Sequence, residues 1–335
     1  MDTDLLKQQS KWKDGLKEIR QIMGQVEQQG FSNLKSWKNH WDHQLYKALE
    51  HQYQVGLEAL NEYLPEIEVF LTYRQRKIQF QPPIEEIRMK YYSQLKRFLA
   101  IPKLFRGCNE STENLIFPAI IERNAHRFSH LFRKAEELFA QLEKKRDHFL
   151  DWVALGSVDI EDFIQENFKL AEDWDQNFSA SKARGQDIGR LPSGKDKLQC
   201  IIINYAPLRS EIELLNRKYW DILAITLQRS IIGDIEAIEN FTTEATDNLR
   251  RQPQTVEEIG EANSMHKNYQ EKTPDMLTLF ENADKKNKVL TKWTREQVDH
   301  VHRIGDVWDN FVSLMDNHED LISRQVEAIK GKDMT

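Results

Sequence analysis

The sequence predicts a mainly α-helical protein, an elongated array of helical bundles with a small β-hairpin or sheet inserted into it. Glycine (13) and proline (9) are scarce among the 335 residues, as in chains of long helices with few turns. Apolar residues recur at helical spacing along most of the chain. Two short stretches differ, because there the apolar residues alternate or cluster as they do in strands.

Residues 1–63 are predicted to form a helical segment. The stretches 3–28 and 33–62 are polar, with apolar residues three or four positions apart. In the second stretch these positions include Trp37, Trp41, Tyr46, Leu49 and Tyr53.

The segment 64–117 begins with "PEIEVFLTYRQRKIQFQPP", in which apolar and polar residues alternate on both sides of a charged tip. This period of two predicts a β-hairpin over 66–80. Pro82 and Pro83 end the hairpin and favour the start of a helix over 84–100. An irregular connector then extends over 102–117.

The segment 118–190 is predicted to be a helical hairpin. Its first helix, 119–153, has apolar residues on a repeat of four and three, and we expect Phe128, Phe132 and Phe139 to lie in the core of a bundle. Gly156 interrupts the pattern, and a second helix is predicted over 159–180.

The segment 191–206 is predicted to be a turn and a strand. It begins within "GRLPSGKD", residues 189–196, which matches a phosphate-binding loop except that Asp196 replaces the final Ser or Thr. A phosphate loop needs a buried strand before it and a helix after it, whereas here the strand, 199–204, comes after. We therefore predict a turn that does not bind nucleotide, and a strand that pairs with the hairpin, since single strands leave backbone amides unpaired.

The segment 207–335 is predicted to be a long helical bundle. One helix extends to about 249, and Thr255 with Glu258 forms a capping box that opens the next. A final helical segment from about 288 keeps a heptad, whose residues are Val301, Ile304, Trp308, Phe311, Met315, Ile322 and Ile329. Because this heptad has no terminating signal, we expect the last helix to continue into a longer protein.

Charge and composition exclude several classes of function. The 54 acidic residues outnumber the 47 basic ones, and the net charge of −7 argues against a nucleic-acid-binding protein. The chain contains no apolar run of the roughly 20 residues needed to cross a bilayer, so no membrane insertion is predicted. Cys108 and Cys200 do not form a disulfide framework and suit a reducing, cytoplasmic compartment.

The chain offers few residues for chemistry. His40 with His43 and His126 with His130 could each share a helix face, but no further ligand follows at metal-binding spacing. His318 falls on the apolar face of the last helix, where it could titrate as a switch or be an ordinary imidazole. With no motif for a nucleophile, a metal or a cofactor, we predict a scaffold rather than an enzyme.

One stretch resembles a known family, the tail of dynein heavy chains. Residues 64–107, "LPEIEVFLTYRQRKIQFQPPIEEIRMKYYSQLKRFLAIPKLFRG", match the family's hairpin, its F-x-P-P-x-E-E-I-R-x-K-Y-Y motif and its P-x-x-F-x-G turn. The matching residues are Phe80, Pro82, Pro83, Glu85, Glu86, Ile87, Arg88, Lys90, Tyr91, Tyr92, Pro102, Phe105 and Gly107. Leu191 and Pro192 match the family's R-L-P turn, although the following "SGKD" is richer in glycine than usual, and we expect a loose loop there.

The resemblance extends over almost the whole chain and, within the family, is greatest to the heavy chains of ciliary retrograde intraflagellar transport. It implies a non-catalytic segment whose parent chain is an ATP-driven microtubule motor. The implied partners are the light intermediate chain, the intermediate chains, a second heavy chain and, indirectly, intraflagellar transport cargo. The implied location is the cytoplasm and the cytoskeleton of the cilium. An axonemal dynein tail and an unrelated cytosolic helical tether or adaptor are the alternatives.

Overall fold

The computed structural model describes Leu5 and residues 8–109, 116–251 and 255–332. Helices dominate this part of the chain, and one four-stranded sheet accompanies them, which confirms the predicted mainly α class with a small sheet. The chain divides into two compact units. Unit 1 comprises Met1–Ala154 and Leu191–Ile212, and unit 2 comprises Leu155–Arg190 and Glu213–Thr335.

Unit 1 contains the sheet and the helices around it. Its helices are α1 (Gln9–Gln28), α2 (Leu34–Tyr63), α3 (Ile84–Leu99), α4 (Pro118–Arg123) and α5 (Ala125–Asp147), with a 3₁₀ turn at Ile101–Leu104. A second 3₁₀ turn, Asp151–Gly156, contains the boundary between the two units. The buried face of α2 repeats every three or four residues through Leu45, Leu49, Tyr53, Leu57 and Leu60. This spacing brings the apolar stripe of the helix onto the core.

The sheet consists of β1 (Ile67–Arg74), β2 (Lys77–Gln81), β3 (Lys195–Leu198) and β4 (Ile201–Asn204) in the order β2-β1-β4-β3. β1 and β2 form the predicted hairpin, and β4 pairs with β1 in parallel, with Ile67 opposite Ile201. Val69 and Leu71 are buried while Glu68 and Phe70 are exposed, as the alternation requires. The prediction that the second stretch of strand joins the hairpin is confirmed.

Unit 2 is helical throughout its described residues. It contains α6 (Ile160–Asn167), α7 (Ala171–Ile188), α9 (Val256–Thr294), α10 (His300–Lys332) and the residues of α8 (Ala206–Leu249) from Glu213 onward. All five contribute to one apolar core, which includes Ile164, Trp174, Phe178, Leu223, Ile231, Ile238, Leu290, Ile304 and Phe311. The predicted capping box is confirmed, because the Glu258 amide donates to the Thr255 hydroxyl and the Thr255 amide to the Glu258 carboxylate. The side chain of Ile329 lies outside the described residues.

The predicted helix over 119–153 is wrong in three respects, one of which is that α5 already ends at Asp147. Its first turn is a separate helix, α4, because the buried Asn124 side chain donates to the Ile120 carbonyl at 2.8 Å and accepts from Gln54 of α2 at 3.1 Å. The core of α5 is also rotated relative to the prediction. Phe139 is fully buried, but Phe132 is 37% exposed and Phe128 is half-buried. The buried positions of α5 are Leu131, Ala135, Leu138, Phe139 and Leu142.

Two further predicted helix boundaries are wrong. The predicted helix over 159–180 is two helices, because the chain is extended at Phe168 and the Asp173 carboxylate accepts from the Lys169 and Leu170 amides, which begins α7. The last helix does not begin near 288, since α9 continues to Thr294. Helix α9 ends where Arg295 adopts a left-handed φ of 64°.

The expected loose loop at "SGKD" is also wrong, because Lys195 and Asp196 begin strand β3. Lys195 lies 2.6 Å from Glu68 and Lys197 lies 2.6 Å from Glu66, and these ion pairs join the edge strand to β1. The order of elements is nevertheless the predicted one, a helix, a turn and then a strand. This order is the reverse of a phosphate loop.

Candidate functional site

The residues that carry the family resemblance lie in three places in unit 1. The first is the passage from the hairpin into α3. Phe80 is buried at the end of β2, the Gln81–Pro82 peptide bond is cis, and Pro83 is the N-cap of α3. Glu86 lies in the first turn of α3 and pairs with Lys90 at 2.9 Å, while basic residues occupy the last turn. This distribution of charge favours the helix, because it opposes the helix dipole.

The second place is a contact between α3 and α5. Tyr91 is buried with its ring edge-on to Phe139, at 5.5 Å between centroids. Arg88 pairs with Glu136 at 3.1 Å and lies 4.8 Å over the Phe139 ring. The hydroxyl of Tyr92 donates to the same carboxylate, and burial together with Glu136 raises the pKa of Tyr92 to about 12. The tyrosine therefore stays a neutral donor, and the three side chains hold α3 against α5.

The third place is the turn that contains Phe105 and Gly107. Phe105 packs on Trp12 of α1, with 6.4 Å between ring centroids. Asp42 of α2 is 1% exposed, and its carboxylate accepts from the backbone amides of Cys108 and Asn109. Burial first, and then Asp42, raises the pKa of Cys108 to about 11, so this thiol stays protonated. The turn is thus tied to both α1 and α2.

Leu191 and Pro192 lie apart from those residues in the chain, in the turn before β3. The Leu191 carbonyl accepts from Arg209 at 3.3 Å, while Pro192 is exposed and lines a cavity. The backbone carbonyl of Leu191 therefore has a side-chain partner, whereas Pro192 contributes the surface of its ring.

Neither Asp42 nor Glu136 was among the residues singled out from the sequence. Asp42 had a detectable signal, because it occupies the same helical phase as Leu45, Leu49 and Tyr53. A carboxylate at a core position needs partners, and here the partners are backbone amides. Glu136 had no such signal, since an acidic residue on an amphipathic helix is usually solvated.

Within the described ranges, the structure assembles no catalytic constellation around the candidates for chemistry. Lys195, which would be the phosphate-loop lysine, pairs with Glu68. No cluster of three or more His, Cys, Asp or Glu side chains could hold a metal ion among the described residues. The helices described are likewise too short or too polar for a transmembrane span.

The described residues form a mainly α-helical segment with a small sheet, and comparisons with known proteins show its family. No protein-family model matches the chain. The chain is 47% identical over 333 residues to cytoplasmic dynein 2 heavy chain 1 of Tripneustes gratilla, 44% to that of Homo sapiens over the same length, and 35% over 331 residues to that of Caenorhabditis elegans. These alignments cover 98–99% of this chain and 8% of each relative.

The chain therefore belongs to the cytoplasmic dynein 2 heavy-chain family, as a segment of the heavy-chain tail. It spans about one-twelfth of the length of these relatives and is a non-catalytic part of the heavy chain. The predicted family is confirmed, and the alternative of an unrelated helical tether is wrong.

Proposed function

We propose that this segment is a scaffold in the tail of a ciliary dynein, where it connects partner subunits and intraflagellar transport cargo to a microtubule motor elsewhere in the heavy chain. The observation that carries this proposal is the match of nearly the whole chain to cytoplasmic dynein 2 heavy chains. Its partners would be the light intermediate chain, the intermediate chains and a second heavy chain, and it would work in the cytoplasm and the cilium.

The architecture supports a structural role. The residues of the family motif on α3 and in the following turn bind other elements of unit 1, as the pairs Arg88–Glu136 and Phe105–Trp12 show. They therefore serve to hold helices in fixed positions, and a surface held in this way can present charged and aromatic side chains to partner chains.

Cross-linking of the complete motor complex with a lysine-reactive reagent tests this proposal. We expect cross-links between lysines of this segment and the light intermediate or intermediate chains. A complex in which these lysines cross-link only within the segment, while other parts of the heavy chain do cross-link to those subunits, would overturn the proposal.

A further inference from the structure

A cavity of about 720 Å³ opens in unit 1, between the end of α5, the turn before β3 and the start of α8. Phe149 and Tyr205 lie at its base with their ring centroids 5.5 Å apart, but each is only 2% exposed and offers little accessible surface. The exposed ring of Pro192 adds an apolar wall. The volume lies within the range of roughly 300–1,000 Å³ that is typical of ligand sites.

Two lysines lie on the rim of this cavity. Lys144 and Lys145, in the last turn of α5, line the cavity and are exposed. Among the residues lining the cavity the carboxylate is Asp196, which Lys145 already neutralises at 2.7 Å. Lys144 makes no ion pair within the described part of the chain, so its charge is available to a partner.

Two pKa shifts keep Asp196 charged and Tyr205 neutral. The hydrogen bond from Lys145 is the largest cause that lowers the pKa of Asp196, so the ion pair persists in weakly acidic solution. Burial, and then Asp196, raises the pKa of Tyr205 to about 12, so its phenol adds no negative charge. The cavity therefore presents the apolar ring of Pro192 together with the unpaired positive charge of Lys144.

We propose that this cavity docks an acidic linear segment of a partner chain, with an apolar side chain against Pro192 and a carboxylate at Lys144. The inference rests on the proposed scaffold function and adds to it the chemistry of one partner. Charge complementarity favours an acidic segment, and the exposed ring of Pro192 gives an apolar side chain of that segment a surface to pack on. Pro192 would then have a role in this site, since it is exposed at the wall of the cavity.

Fluorescence anisotropy with the intact 335-residue chain tests the proposal. The probe is a short labelled peptide of glutamates around a central leucine, and its counterpart carries glutamines in place of the glutamates. At physiological ionic strength, which screens distant charges, we expect the glutamate peptide to bind at least about tenfold more tightly than the glutamine peptide. Lys144→Glu should remove this preference.

Lys103→Glu is the matched control, because Lys103 is exposed in unit 1, makes no ion pair in the described residues and does not line the cavity. This change should alter the affinity of the glutamate peptide less than about twofold. Equal binding of both peptides, no binding of either, or an equal effect of Lys103→Glu and Lys144→Glu would overturn the proposal. Such a result would leave the cross-links expected of the scaffold unaffected, so the two proposals can fail separately.

Discussion

The carboxylate of Asp42 occupies the space that a side chain at Gly107 would need. A Cβ atom at Gly107 would lie 2.5 Å from Asp42 Oδ1 and 2.8 Å from its Cγ. Asp42 cannot withdraw without cost, because it is buried and accepts from the amides of Cys108 and Asn109. The glycine of the P-x-x-F-x-G turn is therefore explained by a residue 65 positions earlier in the chain.

Gly107→Ala should destabilise the protein by about 1–3 kcal/mol, because the methyl group displaces a buried carboxylate from its hydrogen bonds. Urea unfolding measures the loss. Gly24→Ala is the matched control, since Gly24 lies inside α1 with nothing within 4 Å of its Cβ position. It should stabilise the protein by about 0.5–1 kcal/mol.

Gly107→Ala in an Asp42→Ala background isolates the contact between these two positions. With the carboxylate removed, Gly107→Ala should cost less than it does in the native chain, which a double-mutant cycle reports as a coupling between the two sites. Independent, additive effects would show that Asp42 is not the cause.

Phe139→Ala should cost about 3–5 kcal/mol, because the ring is fully buried between Tyr91 and the core. Phe132→Ala should cost about 1 kcal/mol, since Phe132 is 37% exposed and stacks only on Tyr92 at 5.9 Å. Thermal unfolding of the two variants distinguishes this structure from the helical phase expected from the sequence. Equal losses of stability in the two variants would favour the helical phase expected from the sequence.

The buried ion pair of unit 2 offers a third test. Lys286 is 3% exposed and lies 2.7 Å from Asp234 and 2.9 Å from the Ser230 hydroxyl. Lys286→Ala should cost about 3–5 kcal/mol, because it leaves a partly buried carboxylate without its counter-charge. Chemical denaturation measures this loss.

Lys288 provides the control for Lys286 on the same helix. Its ion pair with Asp284, at 2.6 Å, involves an exposed lysine, so Lys288→Ala should cost less than about 1 kcal/mol. Combining Lys286→Met with Asp234→Leu should cost less than Lys286→Ala alone, because no unpaired charge remains. A double variant as unstable as the single one would contradict this explanation.

A stacked pair of histidines predicts that the stability of the protein depends on pH. His318 of α10 and His266 of α9 are both buried, their centroids lie 5.4 Å apart, and their Nδ1 atoms have no hydrogen-bond partner in the described residues. Burial, and then His266, lowers the pKa of His318 below its usual 6.5. The folded state disfavours the charged form of His318. The free energy of unfolding is therefore highest above pH 6.5, where His318 is neutral, and it decreases as the pH falls below 6.5.

His318→Leu should therefore reduce the loss of stability between neutral and weakly acidic solution, as measured by urea unfolding at several pH values. His302→Leu, at an exposed position of the same helix, should leave the pH dependence unchanged. Identical pH profiles for the native protein and His318→Leu would show that the pair does not contribute.

Local patterns predicted most of the fold, and long-range contacts account for the remainder. The alternation through Val69 and Ile78 specified the hairpin, and unpaired backbone groups required the partner strand. The burial of Phe139 rather than Phe132 could not be predicted, since apolar residues occupy adjacent positions on α5 and either phase gives a continuous stripe. The break at Asn124 depends on Gln54, which is distant in sequence.

The candidate site was predictable only in part, because long-range contacts complete it. The resemblance identified Arg88, Tyr92 and Gly107, but a motif names residues without naming what they touch. Their partners, Glu136 and Asp42, come from other helices, and only Asp42 was marked by its position on an apolar face. The cavity with Lys144 on its rim arises where three elements meet, so no local pattern indicates it.

The most direct test of the proposed scaffold function uses a full-length heavy chain in which a helical spacer replaces this segment. The measurement is the subunit composition of the complex that this heavy chain forms. If the segment connects subunits to the motor, the light intermediate and intermediate chains should co-purify at a reduced ratio to the heavy chain, while its ATPase activity is retained. An unchanged ratio of these subunits, or a loss of ATPase activity with the subunits retained, would contradict the central claim.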